Sequence, residues 1–261
     1  MLIRLVDVVK VFETGSKRRL RALDGITMDV RDGEFVSIVG PSGCGKSTLL
    51  SLVAELERPT SGTISFIGEQ RCQTRTAMVW QDYRLLPWRV IETNVGLGPE
   101  FRKRPEDERQ GVVHRLLNKV RLTGFEQFFP SQLSGGMKQK AGIARALAND
   151  PEILLMDEPF AHLDALNRRM MQLELLNLWE QTHKTVIYVT HSIDEAVLMS
   201  DRVVVMSASP GTILDFVEVE LPRPRTMEMM TLPTYAATTQ RIWELLEREV
   251  RRARPRQVEG E

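Results

Sequence analysis

Gly40-Pro41-Ser42-Gly43-Cys44-Gly45-Lys46-Ser47 sets a glycine, four further residues and then Gly-Lys-Ser, the spacing of a loop that wraps a phosphate. Glycines let the backbone turn its N–H groups inward around an anion. The helix expected to follow, Lys46 to Leu56, presents its positive N-terminus to the same anion. Lys46 is placed to reach the β- and γ-phosphates of a nucleoside triphosphate and Ser47 to offer its hydroxyl to Mg²⁺, with Thr48 closing the nucleotide-contacting run. Cys44 lies beside that helix start and Lys46, so its thiolate is expected to be favoured. These residues point to a nucleoside triphosphatase or a kinase without deciding between them.

Two more segments carry chemistry. Ile153-Leu154-Leu155-Met156-Asp157-Glu158 is an apolar strand ending in two acids, at the strand end where open α/β sheets bind ligands. Asp157 suits Mg²⁺, and Glu158 suits the general base that polarises an attacking water; an acidic turn cap is the plainer alternative. Leu133-Ser134-Gly135-Gly136-Met137-Lys138-Gln139 opens a helical run from Gly136 to Asn149, with Ser134 as its N-cap. Two glycines at a helix start make a second place for phosphate, or an ordinary capped helix.

The elements that hold these residues follow from periodicity. Leu2–Lys10 alternates. Leu23–Val30 and Glu34–Val39 flank Arg31-Asp32-Gly33, and Asp-Gly is a hairpin signal. Further strands are expected at Thr63–Ile67, Thr76–Trp80, Ile153–Met156, Thr185–Thr190 and Arg202–Met206. Between Asp82 and Asn149 the spacing turns helical, as in Val112, Val113, Leu116, Leu117 and Val120. This reads as an α/β core interrupted by a helical insertion. A terminal helix is expected from Thr234, with Ile242, Leu245, Leu246 and Val250 along one side and a basic end from Arg251 to Arg256.

Lys plus Arg and Asp plus Glu both count 35, a formal net charge of zero, so no basic excess marks a nucleic-acid binder. The two cysteines, Cys44 and Cys72, make no disulfide framework and fit a reducing compartment. No stretch approaches a membrane span, and the alternating start lacks a signal peptide's apolar core. Any transport role therefore calls for partner subunits that span the membrane.

With these residues in place, the chain resembles the nucleotide-binding subunit of an ATP-binding-cassette transporter over nearly its full length. Ser134, Gly135, Gly136 and Gln139 fall in the family's signature segment. Gln81 matches the glutamine that links Mg²⁺ to the membrane subunits. Ala161-His162-Leu163-Asp164 matches the loop that crosses the dimer interface, and Thr190-His191 the switch histidine that contacts the γ-phosphate. Phe12 stands where many members stack a tyrosine on adenine; it is a stacking residue or a strand-end core aromatic. His162 holds a position that is often small, and is inert or titrates at the interface.

The resemblance implies an α/β phosphate-loop NTPase core with a mixed, mainly parallel sheet, an antiparallel β subdomain and an inserted α-helical subdomain. The core is expected at 1–81 and 150–221, the helical subdomain at 82–149 and a helical tail at 222–261. It also implies ATP and Mg²⁺, the metal on Ser47, Gln81 and Asp157, with Glu158, His191 and Lys46 as catalytic residues. Its partners would be a second copy around two ATP, integral-membrane permease subunits and a separate substrate-binding protein, at the cytoplasmic face of the membrane, and no nucleic acid. Gln81-Asp82-Tyr83-Arg84-Leu85-Leu86-Pro87-Trp88, Met206–Ile213 and Leu221-Pro222-Arg223-Pro224 resemble the subgroup that imports nitrate, taurine and sulfonates. That subgroup also takes vitamin precursors. A non-transport cassette ATPase is the alternative from another class.

Overall fold

The computed structural model describes residues 2–14, 18–69, 72 and 74–253. In chain order the elements are β1 (Ile3–Thr14), β2 (Arg18–Val30), β3 (Phe35–Val39), α1 (Lys46–Val53), β4 (Ser61–Phe66), β5 (Thr74–Val79), α2 (Ile91–Val95), α3 (Leu97–Phe101) and α4 (Glu106–Lys119). They continue with α5 (Gly135–Leu147), β6 (Pro151–Asp157), α6 (Ala165–Thr182), β7 (Thr185–Val189), α7 (Ile193–Met199), β8 (Arg202–Met206), β9 (Ile213–Glu218) and α8 (Pro233–Ala253). The chain forms two compact units, Met1–Ile67 with Tyr188–Glu261, and Gly68–Ile187. The second unit thus holds the helical stretch 82–149 together with β5, β6 and α6.

In the first unit an antiparallel sheet runs β2-β1-β4, with Ile3 opposite both Val30 and Phe66. The alternation seen in sequence is a one-sided burial: Ile3, Leu5 and Val8 are buried while Arg4 and Val6 are exposed. Gly62 has φ +81°, and a Cβ there would lie 2.1 Å from the Asp7 carbonyl oxygen, so β4 can approach β1 only with glycine. β3 pairs in parallel with β8, and β8 antiparallel with β9.

The Asp32-Gly33 hairpin is corrected here. β2 belongs to the antiparallel sheet, whereas β3 pairs with β8. All five residues of β3 are buried, as in a strand covered on both faces, and an edge hairpin would leave one face wet. β9 had no counterpart in the sequence reading; its first three residues are all of intermediate exposure, which blurs the alternation.

In the second unit β5 pairs in parallel with β6, Val79 opposite Met156. Every residue of β6 is buried, so the acids at its end are presented by a strand that cannot shift without uncovering its core. α5 packs against α2, α4, α6 and β5. Asn94, fully buried, shapes the loop that precedes it: its amide nitrogen donates to the carbonyls of Leu86, Arg89 and Val90, and its oxygen accepts from the Leu86 N–H at 2.7 Å.

α8 begins at Pro233, as the tail periodicity predicts, and buries Tyr235 and Ile242. The Tyr235 hydroxyl donates to Asp194 at 2.8 Å. At its basic end Arg251 pairs with Glu247 at 2.9 Å; Arg254, Pro255 and Arg256 lie outside the described residues. Among the described residues no helix is long and apolar enough to cross a membrane.

Candidate active site

The first unit carries the phosphate loop between β3 and α1. Gly43 and Gly45 take φ +76° and +101°, which turns neighbouring peptide N–H groups toward one side. A Cβ on Gly45 would also meet Leu23 Cδ2 at 2.7 Å and the Ala22 carbonyl at 2.8 Å. Lys46 is buried, and its ammonium donates to the carbonyls of Gly40 at 2.8 Å and Pro41 at 3.0 Å. The cation therefore sits inside the curl of its own loop. The hydroxyl-bearing Ser47 and Thr48 follow in the first turn of α1.

Cys44 departs from expectation. It is fully buried, and burial pushes its thiol pKa up despite the opposing charge and hydrogen bonds of Lys46. The neutral thiol is favoured, because desolvation of the thiolate outweighs one nearby cation.

His191 is exposed and joins Gly40, Pro41 and Ser42 around a cavity of about 330 Å³, with Trp243 and Leu246 of α8 on another side. The segment that carries it is tied down by buried Glu195. This carboxylate accepts from the Thr190 hydroxyl at 2.7 Å and the Tyr188 hydroxyl at 3.0 Å. The Ser192 N–H donates to Thr190 Oγ1, and Ser192 Oγ caps α7 by accepting from the Glu195 N–H. Phe12 lies in β1 opposite Leu20. It is half-buried, with the Lys10 ammonium 4.8 Å from its ring centroid, and so is not a core aromatic.

The second unit carries the acids. Asp157 ends β6 and is buried; Glu158 follows with φ +43°. A non-glycine residue in the left-handed region is a strained position of the kind found at functional sites. The Glu158 carbonyl accepts from the Ala161 N–H at 3.1 Å, closing a turn that leads to Asp164. Asp164 caps α6, accepting from the Asn167 N–H at 3.0 Å, and this hydrogen bond lowers its pKa. His162 Nε2 lies 3.5 Å from Asp82, and its ring meets Tyr83 edge-on.

Ser134 caps α5 through a hydrogen bond from the Met137 N–H at 3.4 Å. A Cβ on Gly135 would meet the Tyr83 hydroxyl at 3.0 Å, whereas Gly136 faces open space. Gln139 lies apart from that surface. It is fully buried in α5, and among the described residues neither amide atom has a hydrogen-bond partner. Gln81 is exposed. The loop after it is fastened to α5 by Arg145, whose guanidinium donates to the carbonyls of Arg84 at 2.6 Å and Tyr83 at 3.0 Å.

Known proteins resemble this chain. Residues 23–161 match the family model described as "ABC transporter". The chain belongs to the ABC transporter family. An uncharacterized ABC transporter ATP-binding protein of Methanocaldococcus jannaschii is 47% identical over 225 residues, 85% of this chain and 84% of that protein. An aliphatic sulfonates import ATP-binding protein of Bacillus cereus is 41% identical over 85% of this cassette and 88% of its own length. A bicarbonate transport ATP-binding protein of Synechococcus elongatus is 40% identical over 96% of this chain and 39% of that protein. Among solved structures, a dimeric post-hydrolysis ATP-binding cassette bound to ADP and Pi superposes with TM-score 0.73 at 31% identity, covering 85% of this chain and all of that one.

Three residues of this ABC cassette escaped the sequence reading of the site. Gly211 lies under the phosphate loop: a Cβ on it would sit 2.1 Å from the Cys44 carbonyl oxygen. Its N–H donates to Ala22 O and its carbonyl accepts from the Asp24 N–H, both at 2.9 Å. Glu195 and Arg145 are charged residues inside helices, and nothing local distinguishes them from solvated ones. For Gly211 the signal was the Ser209-Pro210-Gly211 turn, read only as a subgroup likeness.

Proposed function

We propose that this ABC cassette is the ATP-hydrolysing subunit of an importer of small anions. Two copies would close head to tail around two ATP, the phosphate loop of one facing Ser134–Gly136 of the other. The observation that carries the reading is the capped start of α5. Ser134 is the N-cap, and Gly136, with nothing within 4 Å of its Cβ position, leaves the helix start open to a phosphate.

ATP fits the phosphate loop, where two positive-φ glycines and a buried ammonium form a cationic cradle. The donor set for a metal is a hydroxyl, an amide oxygen and a carboxylate, from Ser47, Gln81 and Asp157; all are hard oxygen ligands and suit Mg²⁺. When bound, the metal would supply charge neutralisation between the β- and γ-phosphates. Lys46 offsets charge on the same oxygens as the bond to the leaving ADP breaks. Glu158 takes a proton from the water that attacks the γ-phosphorus. His191, held by the Thr190–Glu195 network, contacts the γ-phosphate. Phe12 offers its ring to adenine.

The exposed Trp88 and Phe101, at 71% and 79%, support a permease docking face in the region after Gln81. The complex would sit at the cytoplasmic membrane face with a separate binding protein choosing the cargo. Sulfonate and bicarbonate in the relatives' names support a small anion as that cargo. Affinity purification of the tagged chain from detergent-solubilised membranes should bring down polytopic subunits, and vesicles of the complex should take up labelled sulfonate or bicarbonate only with ATP. Lys46→Ala should abolish that uptake. Recovery of the chain from solubilised membranes with no polytopic subunit attached would overturn the transporter reading.

A further inference from the structure

Within the second unit a cleft of about 300 Å³ lies between α4, the C-terminal ends of α5 and α6, and the start of β7. None of the proposed ATPase residues lines it. We propose that this cleft is a second ligand site, one that binds a small organic dianion with an aliphatic or aromatic body, its charges on Arg115, Lys119 and Lys184.

Its lining is divided by chemistry. Arg104 from the turn before α4, Arg115 and Lys119 from α4 and Lys184 from the turn between α6 and β7 line it together, against a single acid, Asp150. The remaining wall is largely apolar, with Leu116 and Leu178 buried behind it. Arg115 and Lys119 stand four residues apart on α4, where like charges repel and weaken a helix. Both are exposed, and no ion pair to an acid joins either among the described residues. Arg104 reaches Glu108 only at 3.9 Å.

Lys184 donates to Asp150 at 2.8 Å and to Cys72 Sγ at 3.2 Å. Burial works against its charge, yet these bonds raise its pKa above the ordinary lysine value, so it stays cationic. Just outside the lining, the Arg102 pKa is lowered first by burial and then by the Arg104 charge, with Asp150 acting in the opposite direction. An inorganic anion would satisfy the rim and leave the leucine wall wet; an apolar molecule would fill the wall and leave the repulsion in place. A dianion with an apolar body answers both. The site is independent of the importer reading.

Naphthalene-1,5-disulfonate is a probe of this class. It is titrated calorimetrically into the full chain saturated with MgADP, so that the phosphate loop is already engaged. One probe should bind per chain, and Arg115→Glu with Lys119→Glu should weaken it tenfold or more, about 1.4 kcal/mol. Sodium sulfate, with charge and no body, and 1,5-naphthalenediol, with body and no charge, should each bind far more weakly. Both substituted side chains are exposed, and the thermal melt and ATPase activity of the variant should match wild type. An unchanged dissociation constant in the charge-reversed protein overturns the site; sulfate or the diol binding as tightly as the disulfonate overturns the ligand class.

Discussion

Gly211 shows how a residue with no side chain can govern a nucleotide site. Its backbone is pinned to Ala22 and Asp24, so a methyl group 2.1 Å from the Cys44 carbonyl must displace the phosphate loop rather than itself. Gly211→Ala should raise the ATP dissociation constant tenfold or more, on the order of 1.4 kcal/mol, while circular dichroism remains that of wild type; an unchanged constant would show that the loop yields freely. Cys44 is governed by burial in the same place. Its raised pKa means that the neutral thiol persists through neutral pH, and stability that rests on it is lost as pH climbs past the ordinary thiol value of about 8.5. Iodoacetamide at pH 7 should modify the half-exposed Cys72 before Cys44, with Cys44 labelling appearing only in more alkaline solution or in unfolded protein. Peptide mass spectrometry gives the order, and faster labelling of Cys44 would contradict the burial argument.

Among the elements, α5 does two things at once. Its N-terminus bears the open, serine-capped glycines, and its Arg145 holds the carbonyls of Tyr83 and Arg84. Burial lowers the Arg145 pKa but leaves a guanidinium charged at any physiological pH. In the proposed mechanism, movement at the N-terminal end of α5 would be passed through Arg145 to the loop that follows Gln81. Arg145→Met keeps much of the aliphatic bulk and removes both hydrogen bonds. Each is a bond to a charged donor, typically about 1.5–3 kcal/mol, so the urea midpoint should fall. ATPase activity of the isolated chain should survive better than ATP-driven uptake by the assembled transporter. Equal loss of both activities would place Arg145 in the fold alone.

For the whole molecule, the decisive variant is Glu158→Gln, which keeps size and hydrogen bonding but removes charge and basicity. Hydrolysis should stop while Lys46, Ser47 and Asp157 still bind nucleotide, so two chains should remain joined around two ATP. Size-exclusion chromatography with ATP should then show a dimer where wild type runs mainly as monomer. Adding Ser134→Arg should return it to monomer without loss of nucleotide binding, since in the proposed arrangement Ser134 acts on the opposing subunit. A Glu158→Gln chain that stays monomeric at saturating ATP, both alone and with its membrane subunits, would sink the head-to-tail arrangement.

The parts of this protein that were legible in its sequence are those whose chemistry is contiguous. The phosphate loop, the Asp157-Glu158 pair and the Ser134 cap each need only neighbours a few residues away, so spacing singled out these segments while the family resemblance supplied the roles of the last two, and the periodicity of α4 and α8 placed those helices. Tertiary structure decided what depends on residues far apart in the chain. It assigned β3 to β8 instead of a hairpin with β2, because a strand buried on both faces carries no alternation to reveal its partner. It brought Gly211 under Cys44, and it turned Glu195 inward beneath His191. It also reversed the expected state of the Cys44 thiol: a nearby lysine can be read from the sequence, but the loss of water around the sulfur is set by the folded chain that encloses it.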